Sequence, residues 1–448
     1  METTEQYLEF FPAEALYQVY RQHPVVCTDT RQLTTGCIFF ALTGENFDGN
    51  QFALQALESG AAYCVVDDAQ LFNQHARLLL VADVLESLQT LATRRRKDFD
   101  IPVIAIGGSN GKTTTKELLT AVMSSHYPCH ATKGNFNNHI GVPITLLAMP
   151  EDTEVAIIEM GTNQPGDIQL LCQIAEPTHG LLTNIGKEHL AGFGSIEGVK
   201  KAEGELFEYL QSASGCAFVN RSERYLTAMA REIAHRVDYA RVAVLLPNDP
   251  GVIGVELAAE TPFVRVAFLS DADERTTAQT QLLGVHNFNN IMTAIALGLY
   301  FKVPPERIKT ALENYRSSNN RSQLVQRGTN TIFLDAYNAN PSSMMPALET
   351  LRKMKGTRKV AMLGDMLELG DDSLAEHEAI VQFANQLQFD RLILVGPEFG
   401  RTAYQAAGAL HFPDAPTARA WFQEQHFEHT DFLVKGSRGI RMETIVNE

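Results

Sequence analysis

Cysteine is scarce in this sequence. The six present, Cys27, Cys37, Cys64, Cys129, Cys172 and Cys216, include no C-x-x-C pair. Neither a zinc ribbon nor a disulfide scaffold is therefore expected, and a reducing, cytoplasmic compartment is the expectation. Positive charge is also short: 37 Lys and Arg stand against 53 Asp and Glu, a net charge of −16. A general nucleic-acid binder lives by neutralising phosphates, so that class is excluded; a local cationic pocket for a phosphate ligand is not. No apolar run approaches the length of a membrane span. The opening stretch "METTEQYLEFFPAEALYQVY" is acidic and lacks a basic n-region, so no secretory signal is expected. Internal repeats and low-complexity segments are absent as well.

What the chain does have is alternation. Its 448 residues, 45% hydrophobic and 20% charged, suffice for several ordinary globular domains. Strand-like runs such as "GCIFFAL" (36–42), "AAYCVVD" (61–67), "IPVIAIGGS" (101–109), "VAIIEMG" (155–161) and "CAFVN" (216–220) alternate with helical ones, which predicts an α/β architecture. Residues 241–283 read as short β-rich segments, and 284–303 as a helix followed by the "PP" at 304–305. Composition places boundaries near residue 98 and within the turn-rich "SSNNRSQ" (317–323), giving segments 1–98, 99–316 and 317–448. The basic run "RRRK" (94–97) reads as a solvated face before the first boundary.

Two local features carry chemistry. "VIAIGGSNGKTTTKELLTAVM" is a strand, a glycine turn and a helix. In such a loop the backbone N–H groups of Ser109 to Lys112 are expected to face phosphate oxygens, with the helix N-terminus behind them. Lys112 would neutralise β/γ-phosphates and the Thr113 hydroxyl would ligate Mg2+. The strict G-x-x-x-x-G-K-[ST] pattern fails, because position 106 is Ile106. The second feature is "GSIEGVKKAEGELFEYLQ" (194–211), where Ile196, Val199, Leu206 and Leu210 define one buried helical stripe. Glu203 lies on that stripe, where an apolar residue is expected. A buried carboxylate needs a partner.

The shortened loop "GGSNGKTTT" resembles the ATP loop of the Mur ligases, the amide-forming enzymes of peptidoglycan precursor synthesis. The resemblance extends over nearly the whole chain. It takes in "DTRQLTTGCIFFALTGENFDGNQF", "KGNFNNHIGVPITLL", "IIEMGTNQPGDI", "LTNIGKEHLAGFGSIEGVKKAEGELF", "GVHNFNNIMTAIA", "DAYNANPSSMMPAL", "MLGDMLELG" and "FLVKGSRGIRME". It implies an N-terminal α/β domain for a UDP-sugar, a central P-loop ATPase-like domain with a parallel or mixed sheet, and a C-terminal Rossmann-like domain. Within the family, "GTNQPGDI", "DAYNANP" and "GDMLELG" point to the step that joins D-alanyl-D-alanine to UDP-N-acetylmuramoyl-tripeptide through an acyl phosphate. ATP and Mg2+ are the implied cofactors, with small-molecule substrates, no nucleic acid, no membrane span and a monomer. Another amide ligase of the fold, such as a folylpolyglutamate synthetase, and a non-catalytic nucleotide-binding scaffold are the alternatives.

The resemblance also assigns residues. Gly108, Ser109, Asn110, Gly111, Lys112, Thr113 and Thr114 form the phosphate loop. Glu159, at a strand end, is expected to bind Mg2+, and His189 a second ion. One of Asn137 and Asn138 is expected to hold the reacting carboxylate or phosphate. Asn287 and Asn290 would read the adenine edge, Arg321 the γ-phosphate and Asp335 the ribose. Tyr337, Asn338, Asn340, Lys435, Ser437 and Arg438 would line the dipeptide and acyl-phosphate side. Thr30, Arg31, Asn46 and Asp48 would face the UDP-sugar, Arg being suited to bidentate recognition. In the family the helix around Glu203 usually carries A-K-G-E, with a carbamylated lysine serving the second Mg2+. Here the string is "AEGE". Glu203 is therefore expected to replace the carbamate as a Mg2+ ligand; a salt bridge to a nearby basic residue is the alternative.

Overall fold

The computed structural model describes residues 10–188, 190–246, 251–261, 263–270, 272–402 and 408–447. It divides into two compact units. The first holds residues up to Ala105 with Cys129–Gly161 and Asp167–Thr178; the second holds Ile106–Pro128, Thr162–Gly166 and everything from His179 onward. No helix among the described residues is long and apolar enough to cross a membrane.

In the first unit, strands Val26–Cys27 (β1), Ile38–Phe40 (β2), Tyr63–Val66 (β5) and Leu78–Leu80 (β6) form a parallel sheet in the order β1-β2-β5-β6. Thr43–Gly44 (β3) and Phe47–Asp48 (β4) make a small antiparallel hairpin. Phe39, Cys64, Val66 and Leu80 pack in one core beneath the parallel sheet. Val103–Gly107 (β7) begins in this unit and ends in the second. Cys129–Ala131 (β8) runs parallel to Val155–Glu159 (β9).

The helix Val84–Arg96 starts where Asp83 accepts the Glu86 N–H, a standard N-cap. Its last turn corrects the expectation of a solvated basic face. Arg95 and Arg96 are buried, at 3% and 6% exposure. Arg95 donates to the Met149 carbonyl at 2.9 Å. Arg96 donates to the carbonyls of Phe99, Ala175 and Glu176 at 2.7, 3.0 and 3.1 Å. A guanidinium can be buried when its fork of N–H groups meets fixed acceptors, and here chain turns supply the carbonyls.

In the second unit, His179–Leu182 (β10), Cys216–Asn220 (β11), His235–Val242 (β12), Val252–Ala259 (β13), Arg265–Leu269 (β14) and Arg275–Gln279 (β15) lie side by side in sequence order. Strands β10 to β13 are parallel, and β14 and β15 continue antiparallel. This matches the β-rich reading of residues 241–283. The helix Lys112–Ser124 packs on the helix Val285–Tyr300 at Gly298, where a Cβ would come within 2.8 Å of Val122. The turn-rich stretch after residue 316 has three non-glycine residues at positive φ, Asn319, Asn320 and Ser322.

A six-stranded sheet follows. Gln323–Arg327 (β16), Asn330–Asp335 (β17), Arg358–Gly364 (β18), Arg391–Val395 (β19), Leu410–Phe412 (β20) and Thr430–Lys435 (β21) are ordered β16-β17-β21-β18-β19-β20. All neighbours are parallel except β16, which pairs antiparallel with β17. Asp335 and Lys435 are the last residues of β17 and β21, the end of a parallel sheet where ligands collect.

Candidate active site

Strand β7 runs into the glycine turn, and the turn's shape demands glycine. Gly108 and Gly111 have φ of 108° and 84°, a region that L side chains rarely adopt. A Cβ at 108 would lie 2.4 Å from the Thr183 hydroxyl, and one at 111 would lie 2.5 Å from Asn290 Oδ1.

Accounting for the loop's backbone donors moves the anion cradle. The Gly108 N–H donates to Glu203 Oε2 at 2.6 Å. The Ser109 N–H donates to the Asn184 carbonyl at 2.9 Å, and the Asn110 N–H to Asn184 Oδ1 at 3.1 Å. Ser109 and Asn110 were expected to face phosphate, but their N–H groups are committed to the protein. The helix Lys112–Ser124 begins directly after the turn, and the first turn of a helix is where N–H groups and the helix dipole suit an anion. Lys112 arches back over the turn. Its ammonium donates to the Gly108 carbonyl, lies 3.5 Å from the Ser109 carbonyl and 3.8 Å from Glu188 Oε2.

Two residues here escaped the sequence reading. Asn184 grips Asn110 from both sides, its Nδ2 donating to the Asn110 carbonyl at 2.8 Å while its Oδ1 accepts the N–H. Glu188 is 4% exposed, and its Oε1 has no hydrogen-bond partner among the described residues. Its one signal was its place in "NIGKEH", beside His189.

The amides expected at the adenine are turned inward. Asn287 and Asn290 are 1% and 7% exposed. Asn290 donates to Asn287 Oδ1 at 3.1 Å and accepts from the Thr115 hydroxyl at 3.1 Å. Asn287 donates to the Leu283 carbonyl and the Ser322 hydroxyl at 2.8 and 3.2 Å. They brace the phosphate-loop helix and the turn-rich stretch. The Ser322 N–H in turn donates to Asp335 Oδ1 at 3.0 Å, and Lys435 donates to Asp335 Oδ2 at 2.5 Å. Burial pushes the Asp335 carboxyl up, but the Lys435 ammonium outweighs it and holds the group below the usual range. Nearby His286 is driven down to about 4 by burial, so it is neutral at ordinary pH.

The remaining C-terminal candidates surround this pair. Lys435 also donates to the Asn338 carbonyl at 3.0 Å. Tyr337 lies under the Arg321 guanidinium at 3.7 Å, with that of Arg438 at 5.7 Å, a cation–π arrangement. Arg438 also bonds to Glu443 at 2.8 Å. Ser437 is buried and accepts the Leu367 N–H at 2.9 Å. Asn340 caps the helix Pro341–Lys353 through a capping box, and its Nδ2 reaches Asn110 Oδ1 of the phosphate loop at 2.9 Å.

In the first unit, Glu159 ends β9 at 1% exposure. Its Oε1 accepts from Asn137 Nδ2 at 2.9 Å, and its N–H donates to the Thr132 hydroxyl at 3.0 Å. Asn138 differs from its neighbour: its Oδ1 accepts the Ile140 and Gly141 N–H groups at the start of the next helix. Thr30 and Arg31 lie in a single turn capped by Asp29. Arg31 bonds back to Asp29 at 2.7 Å and pulls its carboxyl down to about 2. Asn46 is exposed at the tip of the β3–β4 hairpin, and Asp48 accepts the Asn50 N–H at 2.9 Å.

For Mg2+ the chemistry of the donors is the test. Thr113 and Glu159 offer hard oxygens, buried at 2% and 1% exposure, and Glu188 holds a buried carboxylate oxygen beside Lys112; all suit that ion. His189 lies outside the described residues. Among those described, no group of three or more His, Cys, Asp or Glu is gathered for a metal. Glu203 is fully buried, as its stripe position requires, and one of its oxygens accepts the Gly108 N–H.

Three family models match the chain in succession: "Mur ligase family, catalytic domain" over residues 24–96, "Mur ligase middle domain" over 106–298, and "Mur ligase, glutamate ligase domain" over 320–438. The UDP-N-acetylmuramoyl-tripeptide–D-alanyl-D-alanine ligase of Bacillus subtilis is 35% identical over 436 residues, covering 94% of this chain and 92% of the relative. The Escherichia coli enzyme of the same name is 33% identical over 435 residues, covering 94% and 92%. A crystal structure of MurF from Acinetobacter baumannii superposes with a TM-score of 0.84 at 28% identity, covering 98% of each chain. The MurF ligase of Thermotoga maritima in complex with ADP gives a TM-score of 0.80 at 24% identity over 94% of this chain and 96% of that one, a likeness of fold. With three successive matches and relatives aligned over 94% of its length, the chain belongs to the Mur ligase family.

Proposed function

We propose that this chain ligates D-alanyl-D-alanine to UDP-N-acetylmuramoyl-tripeptide, converting ATP to ADP and phosphate. The observation that carries the reading is the 33–35% identity, over 94% of the chain, to relatives bearing that name. A carboxylate is a poor electrophile, and phosphorylation gives it a good leaving group. The dipeptide amine then attacks the acyl phosphate through a tetrahedral intermediate. Two anions must meet in the first step, so cations and fixed donors carry the catalysis.

The residues divide that work. The first turn from Lys112 to Thr114 holds phosphate oxygens, and Lys112 exchanges the Gly108 carbonyl for the β/γ-phosphates. Thr113, Glu159 and, by family resemblance, His189 would hold Mg2+, which supplies charge neutralisation at the triphosphate. Asn137 orients the Glu159 carboxylate. Asp335 serves the ribose and Arg321 the γ-phosphate. Tyr337, Asn338, Asn340, Lys435, Ser437 and Arg438 attend the dipeptide side, and Thr30, Arg31, Asn46 and Asp48 the UDP-sugar. These roles fall in three segments, 1–98, 99–316 and 317–448, which we take as the functional domains. The six cysteines are free thiols, which supports a cytoplasmic site of action; a monomer is the proposed state.

The test is ADP release by the purified chain with UDP-N-acetylmuramoyl-tripeptide, with and without D-alanyl-D-alanine. Release that depends on both substrates is expected. Release supported equally by a free amino acid, or by a folate substrate in place of the UDP-sugar, would overturn the assignment in favour of another ligase of the family. No release would favour a scaffold.

A further inference from the structure

We propose that Glu203 is a positioning residue of the nucleotide site: its carboxylate holds the first half of the phosphate loop so that the following helix turn meets the phosphates. The proposal rests on the ATP-binding part of the function above. The observation is the bond from the Gly108 N–H to Glu203 Oε2, 2.6 Å long, at a side chain with no exposure. That length is a close hydrogen bond, and it uses a carboxylate oxygen as its acceptor.

The surroundings are fitted to this contact. A Cβ on Gly107 would lie 2.9 Å from Glu203 Oε2 and 2.9 Å from Leu182, so the bare backbone at 107 is what lets the carboxylate come close. Gly108 follows in a left-handed conformation, pressed against Thr183. Its N–H would point at protein with no acceptor if the carboxylate were absent, and a buried unsatisfied donor is costly. The next two N–H groups, of Ser109 and Asn110, are fixed by Asn184. Glu203 and Asn184 therefore tie three successive peptide groups to two supports, one on the helix Ile196–Ser212 and one just after β10. The turn can then enter the helix Lys112–Ser124 in one shape. This role needs an acceptor oxygen at the reach of a glutamate, not a charge. A Mg2+ ligand needs the charge. The two readings part at that point.

The experiment uses the full chain with the Glu203→Gln and Glu203→Ala variants. MgADP affinity is measured by calorimetry, and the unfolding midpoint, the KM values and the Mg2+ concentration for half-maximal turnover are measured alongside. Removing the acceptor in Glu203→Ala is expected to weaken MgADP about tenfold and to raise the KM for ATP while leaving that for the UDP-sugar unchanged. Glu203→Gln, which keeps an oxygen at the same reach, is expected to bind MgADP within about threefold of the parent, with its Mg2+ requirement unchanged. A Gln variant as impaired as the Ala variant, with a raised Mg2+ requirement, would overturn the proposal and make Glu203 a metal ligand. An Ala variant that binds MgADP like the parent would overturn it too. If Glu203→Ala fails to fold, Glu203→Gln decides between the two readings alone. Calorimetry with MgADP involves no amino-acid substrate, so a wrong acceptor assignment above would leave this result standing.

Discussion

In the phosphate loop, the N–H groups of Gly108, Ser109 and Asn110 are held by Glu203 and Asn184, and the Asn110 side chain is held by Asn340. In the N-terminal stretch proposed for the UDP-sugar, the Arg31 side chain is 87% exposed and folds back onto Asp29, two residues away, while Asn46 stands in solvent at a hairpin tip. Both stretches are polar and both are assigned to phosphate-bearing ligands. One is braced by partners from distant parts of the chain; the other has side chains bonded within their own turn or exposed to solvent. Ordering a long side chain on binding opposes affinity. A pre-shaped loop avoids that cost, and it is where the chemistry requires accurate placement of the γ-phosphate.

Substitutions can break this contrast, and Lys112→Ala is expected to do so most severely. It removes the ammonium that donates to the Gly108 carbonyl and that is proposed to serve the β/γ-phosphates. Turnover should fall by about 10²–10³, measured as kcat for ADP release; a variant keeping half the parental rate would refute the loop assignment. Asn184→Ala comes next. It frees both the N–H and the carbonyl of Asn110, and MgADP affinity should weaken about tenfold by calorimetry, with little change in the KM for the UDP-sugar. Arg31→Ala has the smallest expected effect on the free protein. Its unfolding midpoint should stay where it was, since an exposed pair contributes little. The KM for the UDP-sugar should rise severalfold while MgADP binding is unchanged. If Arg31→Ala unfolded early instead, the N-terminal stretch would be as pre-shaped as the loop, and the contrast would fail.

Much of this was legible along the chain. A strand, a glycine pair and a G-K-T-T helix start are local signals, and the structure keeps them in order from Val103 to Ser124. The inward direction of Glu203 followed from helical periodicity alone, because Val199, Leu206 and Leu210 on the same stripe are buried. Its partner did not follow. Gly108 lies 95 residues earlier, and its contribution is a backbone N–H, which no residue type announces. Asn184 was invisible for the same reason: it binds main-chain atoms 74 residues away. Arg95 and Arg96 misled because a basic run usually means a wet face, whereas carbonyls brought in from residues 149, 175 and 176 make these two interior.

Those two arginines bear on how the chain can be divided. The change of role near residue 98 suggests a place to separate an N-terminal piece from the rest. The guanidiniums of Arg95 and Arg96 fasten the helix before that point to carbonyls that come well after it. A break after Asp98 would strip both sides at once, leaving Arg96 without its carbonyl acceptors, Arg95 without that of Met149, and the carbonyls of Phe99, Met149, Ala175 and Glu176 without their guanidinium donors. On the proposed division of roles function changes hands at this junction, but the fabric is continuous across it. Pieces made by cutting there would be remnants of one folded body, and a split gene would have to express both halves together to restore it.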